Sequence, residues 1–314
     1  MNTPIRLHRG GFALTLLPLG ATLHRFEVEL PDGSWRNVVV SRDDPDAAHT
    51  GFLGATVGRC ANRIGKARFD LEGRSYHLVA NEGENQLHGG PGGFSERIWQ
   101  VAEVTEDSAT FTVVSEDGDQ GYPGRVVARA TYTVGEDGAE VVYRARTDAA
   151  TPVNLTAHPY FRLGGSSIDD HRLTVPASAY TPVDAAMIPT GEIRPVTGTA
   201  LDFRAGVRIQ QACAEAVATG LDAKGGIDHN LVVDGSGWRE HVCLEGPDGL
   251  TLRVFSDAPA VQLYSGERID RAGLAIEPQG FPDAPNHDNF PSVILQPGRE
   301  YLRRIRWSFT RAAS

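Results

Sequence analysis

Side chains on an extended chain point to opposite faces in turn, and the strongest constraint on this chain is how often its apolar residues alternate in that way. Period-two runs recur at "ATFTVVS" (109–115), "RVVARATYTV" (125–134), "AEVVYRART" (139–147), "HRLTVPASAYTPV" (171–183), "LTLRVFS" (250–256) and "AVQLYS" (260–265). Turn-forming stretches divide them, such as "EDGDQGYPG" (116–124), "GEDGAE" (135–140) and "EGPDGL" (245–250). Short strands punctuated by Gly and Pro describe an all-β protein, an antiparallel sandwich or barrel. Helical periodicity is confined to "RIQQACAEAVATGLDAK" (208–224), where Ile209, Ala212, Ala216 and Leu221 fall roughly on one side. A chain of 314 residues could hold two domains or one large β unit. With no internal repeat, low-complexity tract or linker, residues 1–314 read as a single β-sandwich domain.

The net charge of −10 sets an acidic surface against nucleic acid and against anionic membrane, since neither gains counterion release from such a partner. Cys60, Cys213 and Cys243 are too scattered for a disulfide framework or for paired zinc ligands, which suits a reducing, cytoplasmic setting. Near the N-terminus, Arg6, His8 and Arg9 precede "GFALTLLPLGATL", a pattern that mimics an export signal. Pro18 and Gly20 interrupt it, however, and it runs straight into the alternating "HRFEVEL", so a first pair of strands is expected.

Within "NLTAHPYFRLGG" (154–165) the alternation places Val153, Leu155, Ala157, Pro159, Phe161 and Leu163 on one face. The other face carries Asn154, Thr156, His158, Tyr160 and Arg162. Such a strand is expected to bury its apolar side and turn the second side to water. A His between Asn and Tyr, beside a Pro that removes a ladder donor, is unusual on a wet face.

Four long polar segments (57–70, 81–99, 225–233 and 275–298) read as irregular loops rich in His, Asn, Arg, Asp and Glu, where binding and chemistry tend to sit. Glu277 follows "LAI"; if Leu274 and Ile276 face inward, it points the other way, although most Glu residues are simply solvated. His88 lies in "QLHGGPGG", where glycines let the backbone approach a ligand closely, or merely form a turn. Arg63 in "ANRI" offers a planar fork of donors suited to vicinal hydroxyls or a carboxylate, yet surface Arg is commonplace. Asp228 in "GIDHN" could equally cap a turn. The chain has no dinucleotide fingerprint, phosphate-binding Lys loop, HExxH or GxSxG elbow. His88, His158 and His229 match no spacing of metal ligands, so no metal site is expected.

The ordered series "GRCANRIGKARF", "NQLHGGPGGF", "GYPG", "TPVNLTAHPYFRL", "GGIDHN", "VQLYSG" and "EPQGFPDAPN…FPSVILQPGREY" closely resembles the aldose 1-epimerase (galactose mutarotase) family. The match extends from about Gly51 to Tyr301, with the motifs in the family's order. This resemblance implies a supersandwich of antiparallel sheets with a sugar bound in an open cleft. It implies that His158 is the general acid and Glu277 the general base, and that Arg63, His88 and Asp228 hold sugar hydroxyls. Asn62 and Gln279 fall beside them, at the expected rim.

Interconverting α and β anomers requires opening the ring and closing it on the other face. A proton must leave the C1 hydroxyl while one reaches the ring oxygen. A carboxylate can take the first and an imidazolium can give the second. Because the reaction also runs unaided in water, no cofactor is expected, and the partner is a free monosaccharide of the galactose or glucose type. Both a monomer and a homodimer are compatible with the sequence. Two other readings share the architecture: a hexose-6-phosphate mutarotase, for which Arg162 could supply a cation, and a non-catalytic carbohydrate-binding protein. A glycosidase would need two carboxylates flanking the scissile bond.

Overall fold

The computed structural model describes residues 2–41, 44, 50–221 and 225–310. Its largest sheet has nine strands in the order Gln100–Val104, Ser108–Ser115, Val126–Gly135, Gly138–Thr147, Tyr301–Thr310, Thr251–Ser256, Arg239–Glu245, Arg172–Thr174 and Val207–Arg208. A six-stranded sheet runs Tyr160–Phe161, Leu274–Gln279, Ala260–Tyr264, Asp228–Val233, Ala177–Thr181 and Arg194–Pro195. The N-terminal strands Ile5–Arg9, Phe12–Leu17, Thr22–Glu29 and Trp35–Asn37 form a four-stranded meander. All of these pairings are antiparallel, as the alternation predicts. The N-terminal apolar run forms strands, with Pro18 and Gly20 in the turn between two of them.

One apolar core joins the three sheets. It takes Phe111, Tyr132, Val141, Val254 and Trp307 from the nine-stranded sheet. Leu231, Val261, Leu263, Leu274 and Ile276 enter it from the six-stranded sheet, and Leu14, Leu23 and Phe26 from the meander. Fully burying an apolar side chain of this size is worth ~1.5–3 kcal/mol. The six-stranded sheet therefore gives one face to the core, and its other face is left to line a cleft.

Several segments differ from their sequence reading. The 153–163 run is not one strand with a wet side. Within it only Thr156–Ala157 and Tyr160–Phe161 are strands, and they belong to two different sheets. Asn154, Thr156, His158 and Tyr160 are all buried, because layers of structure cover both faces. The 171–183 run likewise divides between the two large sheets. Residues 228–233 and 275–279, expected within irregular loops, lie in strands inside the six-stranded sheet. The helix spans Ile209–Ala218 rather than 208–224. It stops because Gly220 adopts a φ of 70°, while the Gly220 and Leu221 N–H groups bond back to Val217 and Ala216. Residues 222–224 lie outside the described residues.

Candidate active site

Strand parity builds the floor of the cleft. Leu274 and Ile276 point into the core, so Glu277 points the other way. Across the ladder Glu277 stands opposite Gln262, which stands opposite Asn230; Tyr264 pairs in the same way with Ala275 and Asp228. Asp228 and Glu277 thus share one face two strands apart, and the Gln262 amide donates to Asp228 Oδ1 at 2.6 Å. His229 lies on the opposite face, against Tyr180, and cannot join His88 and His158.

A second wall comes from the paired segments Arg63–Ile64 and Gln86–Leu87. Here Asn62 and His88 both take left-handed backbone, with φ of 62° and 50°. Such conformations cost ~1–3 kcal/mol unless the surroundings fix them. The two residues hold each other: the His88 N–H donates to the Asn62 carbonyl at 2.9 Å, and the Asn62 N–H donates to His88 Nδ1 at 3.1 Å. The next residue has to be glycine. A Cβ on Gly89 would lie 1.9 Å from the Gly58 carbonyl oxygen, and its φ is 88°.

That Asn62 bond decides the chemistry of His88. Burial first, then the nearby His158 and Arg63, holds the ring well below its ordinary pKa, so it is neutral. With Nδ1 accepting, its single proton sits on Nε2. His88 therefore presents a donor to the cleft. One nitrogen or oxygen each from His88, His158 and Glu277 lie within 4.8 Å of one another, a spacing that would suit a metal ion. A metal at His88 Nε2 would have to displace the proton that the Asn62 contact keeps there.

His158 Nε2 lies 3.4 Å from Glu277 Oε1, and both side chains are nearly fully buried. The His158 ring packs among Phe52, His88 and Tyr160, with centroid distances of 6.0, 5.2 and 5.0 Å. Burial lowers His158 to about 4. Burial, then the Asp228 charge, raises Glu277 well above the usual carboxyl value, while Arg63 opposes the rise. Both groups are pushed toward neutrality, the state in which the pair carries one proton.

Arg63 is held by Glu82, with contacts of 2.5 and 3.0 Å, and lies 3.8 Å from Asp228. Burial works against its charge, but these carboxylates outweigh burial and keep it protonated. The cleft is lined by Asn62, Arg63, His88, His158, Asp228 and Glu277 among the residues singled out from sequence. Gln279 differs from its expected place at the rim. It is fully buried and is not among the lining residues. Arg162 is likewise away from the cleft, where its Nη1 donates to the Ser166 and Ala272 carbonyls. Phe52, Glu82, Met187, Tyr264, Glu267, Arg268 and Ile269 also line it. None was singled out from sequence, though Tyr264 sits inside the quoted "VQLYSG".

A family model described as aldose 1-epimerase matches residues 4–308. The chain belongs to the aldose 1-epimerase family. Human galactose mutarotase is 37% identical to it, over 94% of this chain and 90% of that protein. The aldose 1-epimerase of Escherichia coli K12 is 36% identical, over 96% and 93%. Among solved structures, an aldose epimerase homologue from C. elegans superposes with a TM-score of 0.93 at 30% identity, covering 100% of both chains. A galactose 1-epimerase from Lactobacillus acidophilus gives 0.88 at 28% identity, covering 99% of this chain and 95% of that one. The large antiparallel sandwich is thus the architecture of this family.

Proposed function

We propose that this aldose 1-epimerase interconverts the anomers of free hexoses such as galactose and glucose, with His158 as general acid and Glu277 as general base. The observation that carries the reading is the buried His158–Glu277 pair, 3.4 Å apart on the floor of a cleft lined by hydroxyl-binding groups. Ring opening needs the charged form of the pair, imidazolium with carboxylate. Burial favours the neutral form, and the two forms differ by one proton moved across a single short gap. The Arg63 charge acts in the direction the reaction needs, because it lowers Glu277. Glu277 then removes the C1 hydroxyl proton as His158 protonates the ring oxygen. After rotation about C1–C2 the two transfers reverse, and the pair ends with the proton it began with. Each positioned acid or base contributes ~10²–10⁴-fold. The His88 Nε2–H and the Arg63 guanidinium donate to sugar hydroxyls, while Asp228 accepts from one.

We read residues 1–314 as one domain, on the ground of the continuous core. A cytoplasmic setting is supported by three free, buried cysteines; no helix among the described residues is long and apolar enough to cross a membrane. The decisive test is polarimetry of freshly dissolved α-galactose, α-glucose and other α-aldoses. Relaxation to the equilibrium rotation should speed up in proportion to protein concentration. A rate equal to the spontaneous one for every sugar overturns the proposal.

A further inference from the structure

His158 and Glu277 lie on two segments, 154–158 and 277–280, that run side by side. Among the described residues no backbone hydrogen bond joins these segments; the regular ladder between their strands starts only at Tyr160–Ala275. The backbone of 154–158 is engaged elsewhere. Thr156 and Ala157 pair with Val57 and Thr56, Asn154 bonds to Arg59 and Ala61, and both Leu155 backbone groups bond to the Tyr301 hydroxyl. On the facing segment, Pro278 has no N–H to offer.

Side chains close this seam instead. Thr156 Oγ1 donates to the Pro278 carbonyl at 2.9 Å. The Gly280 N–H donates to Asn154 Oδ1 at 2.7 Å, and Asn154 Nδ2 donates to the Gly280 carbonyl at 3.2 Å. Both side chains are buried, and neither lines the cleft, so neither is placed to touch a sugar. Their three bonds fall within three residues of Glu277 on one segment and within four of His158 on the other. A misplacement of ~1 Å at reacting groups can cost ~10²-fold in rate.

We propose that Asn154 and Thr156 are positioning residues, which set the spacing of the acid and base by bonding side chains to the backbone beyond Glu277. The proposal rests on the reading of His158 and Glu277 as the proton carriers. Thr156→Val keeps the shape and removes the hydroxyl. It should lower kcat about tenfold, leave KM within about twofold, and move the limbs of the kcat–pH profile, because the pair's separation changes. Thr156→Ser should restore both. Asn154→Ala should lower kcat further; if it fails to fold, the Thr156 variants carry the test. A merely structural role would lower thermal stability but leave kcat per folded molecule and the pH profile unchanged. Glu277→Gln is measured alongside. If it stays active, the underlying reading fails. If it is inactive while Thr156→Val keeps wild-type kcat and pH profile, or raises KM alone, the positioning proposal fails by itself.

Discussion

His158 Nε2 and Glu277 Oε1 face each other at 3.4 Å with their side chains 5% and 2% exposed, so water has almost no access to either member of the pair. Neither group can borrow a solvent proton easily, and each depends on the other. Single substitutions should therefore be severe.

Glu277→Gln and His158→Asn should each lower kcat by ~10²-fold or more while the circular dichroism spectrum stays native. Near-native turnover in a folded variant would remove the role assigned to that residue.

Mutarotation should survive exhaustive dialysis against EDTA. The His88 Nδ1 atom accepts the Asn62 N–H at 3.1 Å, which leaves Nε2 protonated where a metal would have to bind. Activity that disappears on chelation and returns with a divalent ion would point to His88, His158 and Glu277 as ligands.

Free hexoses should be preferred over their 6-phosphates by tenfold or more in kcat/KM. Arg63 is already engaged by Glu82 and faces Asp228, and Glu267 and Glu277 add further carboxylates to the lining. A phosphate dianion wants several free cationic donors. The cation that could reverse the preference is Arg268, at the cleft, rather than Arg162, which lies elsewhere. Comparing glucose with glucose 6-phosphate checks this, and a tenfold preference for the phosphate overturns it.

Stability should rise with pH from about 4.5 to 6.5. Burial lowers His158 and His171 to about 4 and His241 to about 3, all from 6.5. In this window the unfolded chain holds protons at these rings that the folded chain does not, so acid favours unfolding. Glu277 and Asp283 have the opposite sign, being raised on folding, but they are two groups against five, since His24 and His88 are lowered as well. His241 is wholly buried, and burial is the largest cause of its lowering. His241→Leu should thus cut the slope by up to ~1.4 kcal/mol per pH unit. Urea midpoints of both proteins at pH 4.5 and 6.5 measure it, and an unchanged slope contradicts the assignment.

The class of fold was plain from alternation and turn residues, and so were most long strands. Local pattern failed where tertiary context took over. Asn154, Thr156 and His158 look like a solvated face because they are polar, yet they are buried, with their polar groups turned to neighbouring backbone or to the cleft. Tyr301–Thr310 escaped notice although Ile305, Trp307 and Phe309 alternate, because Arg303 interrupts the pattern; that guanidinium is paired with Asp257. The helix reading runs to 224, past Gly220, whose left-handed backbone ends the helix. Motif resemblance brought out Arg63, His88, His158, Asp228 and Glu277, which the fold gathers from distant segments. Glu82, Met187 and Arg268 carry no local pattern that marks a cleft, and only the folded chain brings them there.

Glu277 and Asp228 stand on strands inside the six-stranded sheet, whereas Met187, Arg268 and Ile269 reach the same cleft from turns. The proposed base and part of the cleft's outer lining are therefore carried on separable pieces of chain. A combinatorial library confined to those three turn positions would leave His158, Glu277 and the Phe52 ring packed against His158 in place. It offers a direct route to retargeting this scaffold toward pentoses or substituted hexoses.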